Sequence, residues 1–330
     1  MVQLLYDFHS LQSIDLMKSC SEMLLGNCSH SMKNTCLLQV YSGFCDTLMV
    51  ADLESRSRAM TYLFDSIKKN GNNFDSMLWE SVLHDCIYPI FSYTSDPIQM
   101  QTKFKDTVDS SEWISTTFVQ GLRSLVELFS CFFSLLEDGN MQNVCDILFQ
   151  CIVGQDNETI SRIGASSLQQ ILENNCGKLK IKHWEIVIGT IEKLFDHTLP
   201  CFDSISLEEN SLQVESVEGN SRISMDDLSS NPKVESRRKS KESSSGKEQF
   251  QKIILHCVLH LLLLQTINDI FITGKQVYPH ASLSHLEAIV KCYQKSFQFA
   301  KKFNENMSLR LSIVQKGTKY FNPRIHEAAA

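Results

Sequence analysis

The sequence predicts an all-α protein, an α-solenoid of HEAT/armadillo-like helical hairpins with one long disordered insertion. Three observations carry this expectation. Apolar residues recur at helical spacing along most of the chain, and strand-like alternation is nowhere sustained. The stretch Asp156 to Pro200 reads as one complete helical hairpin, and a single Ser/Glu/Lys-rich stretch breaks the apolar pattern.

The hairpin is the clearest element. Ile160, Ile163, Gly164, Leu168, Ile171 and Leu172 fall on one face of a first helix. Asn174, Asn175 and Gly177 supply turn chemistry. Trp184, Val187, Ile188, Ile191, Leu194 and Phe195 line a second helix, which Pro200 stops. A unit of about 40–47 residues that cannot bury its stripe alone must stack on neighbours. Other stripes continue the array. Met60, Leu63, Phe64 and Ile67 form one, and Leu78, Val82, Cys86, Ile87, Ile90 and Phe91 the next. Leu122, Leu125, Val126, Phe129, Phe132 and Phe133 follow, then Val144, Ile147, Leu148, Cys151 and Ile152. Near the end, Leu283, Leu286, Ile289, Val290, Tyr293, Phe297 and Ala300 make a long stripe.

These stripes divide the chain into helical repeats over 1–201, an insertion over 202–247, further hairpins over 248–317 and a tail over 318–330. The insertion carries too little apolar surface to offset the entropy of ordering. Within it, Arg237-Arg238-Lys239-Ser240 fits an arginine-directed kinase pattern, which makes Ser240 a candidate phosphosite. Asp52 with Arg58, and Asp156 with Arg162, stand six residues apart at the heads of two apolar helices. They are candidates for capping those helices and bonding a neighbouring repeat.

Composition narrows the function classes. The chain has 330 residues, 43% hydrophobic, with 13 Gly and 6 Pro, which is helix-rich globular composition. A net charge of −7 gives no support to nucleic-acid binding. The 12 cysteines include no Cys-x-x-Cys pair, the usage of a reduced cytoplasmic protein. Ile253 to Leu264 is too short to cross a bilayer and reads as a buried solenoid helix, so membrane contact is expected to be peripheral. No nucleophile elbow, phosphate loop, dinucleotide fingerprint or zinc-protease motif is present. His256 and His260 have a one-face metal spacing, but no third or fourth ligand accompanies them. The sequence therefore points to no catalytic residue, no metal and no cofactor.

Four blocks stand in order along the chain: Arg56-Ser57-Arg58-Ala59 before Leu63-Phe64; Glu112-Trp113 with Thr116-Thr117; Asp156-Asn157-Glu158, Arg162, Gly164 and Trp184; and Phe299, Lys301, Lys302, Phe303 and Asn304. In that order they resemble the region after the catalytic domain in large trans-Golgi Arf guanine-nucleotide exchange factors of the brefeldin A-inhibited group, nearest to their fungal members. The likeness covers roughly Asp52 to Gly317, with Val314 and the tail after Gly317 departing from the family pattern. The resemblance implies a regulatory, non-catalytic segment of such a factor in Golgi vesicle traffic. It implies a cytoplasmic protein, peripheral on Golgi and trans-Golgi membranes, with small GTPases of Arf or Rab type as partners and a homodimer as one assembly. The alternative reading is a HEAT-repeat scaffold of another trafficking or transport protein, without exchange activity.

Overall fold

The computed structural model describes residues 11–27, 30–50, 52–92, 110–154, 157–202 and 232–321. Among the described residues every regular element is helical, as the periodicity requires. In chain order α1 is Leu11–Asn27, α2 His30–Val50 and α3 Leu53–Asn70. Helix α4 begins as Ser76–Ser81 and passes through a π-helical stretch, Val82–Ile87, into Tyr88–Ser92. Helix α5 likewise begins as Ser110–Trp113 and runs through π-helical Ile114–Phe118 into Val119–Cys131. Then come α6 Phe133–Val153, α7 Glu158–Asn175 and α8 Ile181–Thr198. Helix α9 is Pro232–Asn268 with a π-helical end, Asp269–Thr273; α10 is Leu283–Glu305 and α11 is Met307–Phe321.

The residues group into two units, Met1–Leu194 with Gln265–His285, and Phe195–Leu264 with Leu286–Ala330. In the first unit α1 packs on α2 and α3, α2 on α3, and α6 on α7. Helix α3 also packs on α5, and α5 on α7, while α2 packs on the π-helical part of α4. This is the two-layer stacking of successive hairpins that defines a solenoid. Its core contains Phe44, Leu63, Phe64, Trp113, Phe118, Phe129 and Phe133, all buried.

Local chemistry explains the helix starts. Asp52 caps α3 by accepting from the Ser55 backbone N–H at 3.1 Å and from the Ser55 hydroxyl at 2.9 Å. These hydrogen bonds hold its carboxyl below the usual carboxylate range. Asp75 caps α4 through the Leu78 N–H at 2.7 Å. Asn157 caps α7 through Thr159 and Ile160. Helices α6 and α7 cross closely at Gly164, where an added Cβ would stand 2.9 Å from the Cys151 Cβ and 3.0 Å from the Ile152 Cγ1. Among described cysteines none forms a disulfide, and burial pushes the thiols of Cys145 and Cys151 up to about 12.

The second unit is built on α9, α10 and α11. Leu259, Leu263, Ile289 and Cys292 are buried, while Ile254 and Leu261 point outward. Within α9 the span Gly246–Thr273 is long and apolar enough to cross a membrane, and 33% of its most apolar window is buried. The helix is thus longer than the Ile253–Leu264 segment and less enclosed than a buried solenoid helix should be. The insertion expected over 202–247 falls largely on residues 203–231, outside the described residues. Helical backbone begins at Pro232, upstream of the boundary expected at residue 248. Pro at the first helical position and a run of Lys, Arg and Glu favour that start.

Candidate functional site

Polar chemistry inside the first unit converges on Arg56. It lies on the buried stripe of α3 with Met60, Leu63, Phe64 and Ile67, and is only 2% exposed. Its Nε donates to the Thr117 hydroxyl at 2.9 Å, and one terminal nitrogen donates to Glu112 Oε1 at 3.0 Å. Glu112 is about half exposed, so the guanidinium is enclosed while its counter-charge reaches water. The next residue, Trp113, is fully buried and donates its indole N–H to the Leu48 carbonyl at 2.7 Å. The π-helical part of α5 brings Thr117 and Phe118 inward beside them. Together these residues brace α5 against α2 and α3.

The other expected residues separate into distinct roles. Arg58 lies off the buried stripe and pairs with Asp15 of α1 at 3.4 Å and with Glu54 of its own helix at 3.2 Å. Asp156 lies outside the described residues, and the cap of α7 is its neighbour Asn157. Arg162 stays on its own helix, bonded to Glu158 at 2.6 Å rather than to a neighbouring repeat. Trp184 is buried, stacked on His285 at 5.7 Å and near Phe271 at 6.4 Å. Phe299 and Phe303 stack on Phe202 at 5.7 and 5.2 Å. Lys301, Lys302 and Asn304 are exposed. Ser240 lies on the helical backbone of α9, and its side chain falls outside the described residues.

Sequence reading missed Arg56 although it quoted the block that holds it. The available signal was position, since Arg56 continues the apolar stripe by i, i+4, i+7 and i+8 and Arg58 does not. It also missed a buried knot in the second unit. His260 bonds the Thr198 hydroxyl at 2.8 Å and the Ser296 hydroxyl at 2.9 Å, with the Phe195 ring edge-on at 5.5 Å. Both ring nitrogens are engaged, and burial lowers the imidazole pKa below its ordinary value. Among the described residues no group of three or more His, Cys, Asp or Glu could hold a metal ion. A shallow groove of about 860 Å³ runs beside Gly139, Met141, Gln142 and the start of α8 at Lys180 to His183. Its His183 Nδ1 accepts from the Lys180 backbone N–H at 3.1 Å, serving as a helix cap. These arrangements brace and cap helices, and the two hydroxyls that sit beside the His260 imidazole, those of Thr198 and Ser296, are buried with it.

The geometry is that of braced and capped helices, and comparison with known proteins supplies relatives. The chain is 32% identical to the ADP-ribosylation factor guanine nucleotide-exchange factor sec72 of Schizosaccharomyces pombe, over 93% of this chain and 18% of that protein. It is 28% identical to the corresponding factor SEC7 of Saccharomyces cerevisiae, over 82% of this chain and 17% of that protein. The chain is homologous to one segment of Arf exchange factors. Brefeldin A-inhibited guanine nucleotide-exchange protein 1 of Homo sapiens is a more distant relative, 22% identical over 81% of the chain and 17% of the human protein. The family model described as the BIG2 C-terminal domain matches residues 258–327. That match passes Gly317, so the tail expected to depart from the family lies mostly within it. No solved structure matches the segment. The chain spans under a fifth of the length of these relatives.

Proposed function

We propose that this chain is a regulatory segment of an Arf guanine-nucleotide exchange factor and carries no exchange chemistry of its own. It sets how strongly a catalytic domain elsewhere in the factor responds to Golgi membranes and to activated small GTPases of Arf or Rab type. A self-paired factor is part of the same reading. The carrying observation is that most of the chain aligns with a minor fraction of such factors, in fungi and in mammals. The fold supports it, because stacked hairpins offer extended surfaces for macromolecules without needing a pocket.

Exchange requires a group that enters the GTPase nucleotide site, and the buried polar side chains of Arg56, Trp113 and His260 brace helices instead. The isolated chain is therefore expected to leave nucleotide release from Arf at its spontaneous rate. Removing Asp52 to Gly317 from the complete factor should change its response to GTP-loaded GTPase by about 5–150-fold, the usual range of allosteric coupling. Measured exchange rates with and without the segment decide the matter. Equal rates at every GTPase concentration would leave a scaffold without a regulatory role, and exchange by the isolated chain would overturn the assignment.

A further inference from the structure

Residues 286–321 carry seven Lys and Arg against two Glu, a local net of +5 in a chain whose total is −7. The same helices turn apolar side chains outward. On α10, Val290 and Phe297 stand seven residues apart on one stripe, and Phe297 is 70% exposed. On α11, Met307, Leu311 and Val314 fall at i, i+4 and i+7, each more than half exposed. The face α10 buries is a different one, holding Ile289, Cys292 and Ser296. The outward residues are thus surplus to the core of this unit, as apolar residues at a contact surface are.

Charge accompanies that apolar surface. Lys301 stands one turn beyond Phe297 on the same stripe, Arg310 one turn beyond Met307, and the exposed Lys291 and Lys302 flank α10. Six of the seven cations are lysine. Protein interfaces deplete Lys and favour Arg, whereas helices lying in a bilayer interface combine Lys or Arg on one face with large apolar side chains such as Phe and Leu on the other. Lysine suits the second setting because its stem lies along apolar surface while the ammonium reaches a headgroup phosphate.

We propose that the outward stripes of α10 and α11 form a docking surface for an anionic lipid bilayer, with Phe297, Met307, Leu311 and Val314 entering the interface and the lysines bound to headgroups. This rests on the regulatory reading only in taking the parent factor to work at membranes.

The test uses the full chain with phosphatidylcholine vesicles, with and without phosphatidylserine. Native Trp79, Trp113 and Trp184 are buried, so Val314→Trp adds the one outward indole among described positions. Its emission should shift to the blue with phosphatidylserine vesicles only, and high salt should reverse the shift. Lys301→Gln with Lys302→Gln should lower vesicle partitioning by about thirtyfold. Phe297→Ser should weaken it with unchanged circular dichroism, because that ring is solvent-facing. Wild-type partitioning by both variants would overturn the proposal. Failure to bind vesicles, with retention on polyglutamate, would assign the surface to an acidic protein partner and overturn it equally. Exchange rates measured in solution, with and without the segment, read the regulatory role separately, so failure of one assignment is distinguishable from failure of the other.

Discussion

Arg56 and Arg58 differ by two positions on α3, and that offset decides their energetics. Two residues turn the helix by about 200°, which puts the side chains on opposite faces. Arg56 enters the core and finds Thr117 and Glu112, while Arg58 meets Asp15 and Glu54 at the surface. An enclosed guanidinium must be paired, whereas an exposed ion pair contributes little. Truncating Arg56 leaves the Thr117 hydroxyl buried and removes the packing of the side-chain stem. Arg56→Ala should therefore cost about 2–5 kcal/mol in urea unfolding, the range for emptying a large buried site. Arg56→Met should cost less, because it restores volume and the half-exposed Glu112 can turn to water. A loss below about 1 kcal/mol for Arg56→Ala would mean that the pair behaves as a surface salt bridge.

At the scale of elements, the helices were legible because an amphipathic face is written in sequence period, and the breaks because Asn, Asp and Gly have known turn chemistry. Trp184 could be placed in the core from its stripe alone. Its actual neighbours, His285 and Phe271, could not, since they come from about a hundred residues downstream. The π-helical stretches at Val82–Ile87, Ile114–Phe118 and Asp269–Thr273 left no trace in the apolar spacing either. They widen a turn locally, and packing rather than side-chain propensity selects them. The same limit hid the Arg56 and His260 knots, whose partners lie 36 to 62 positions away.

Two substitutions test packing between elements. Trp184→Ala removes a ring wedged against His285 and Phe271, and should cost about 3–5 kcal/mol. Gly164→Val inserts branched carbon where even a Cβ would lie under 3.0 Å from Cys151, so α6 and α7 must move apart. The expected loss is about 1–3 kcal/mol, read as a shift in urea midpoint with an unchanged slope. Wild-type stability for Gly164→Val would show that the crossing relaxes freely.

At the scale of the molecule, the two units carry separable reporters. Trp79, Trp113 and Trp184 all belong to the first unit, so tryptophan fluorescence follows that unit, while circular dichroism follows helices in both. The second unit leaves Val290, Phe297, Leu311 and Val314 in water and draws less stability from burial. In a solenoid, stability is set repeat by repeat, so the second unit should unfold first. Circular dichroism should then show an early urea transition that fluorescence does not. His260 gives this phase a pH signature. Its folded pKa lies below the ordinary value of 6.5 because burial penalises the cation, so the unfolded state takes up a proton that the folded state resists. The stabilisation from neutral His260 is therefore complete above about pH 6.5 and declines as pH falls from there toward the folded value. Lowering the pH from about 7.5 to about 5.5 should move the early transition to lower urea and leave the fluorescence transition nearly in place. His260→Asn should remove most of that displacement, at the cost of a lower starting stability. Coincident transitions by both probes at both pH values would show that the chain unfolds as one cooperative block and that His260 stabilises all of it.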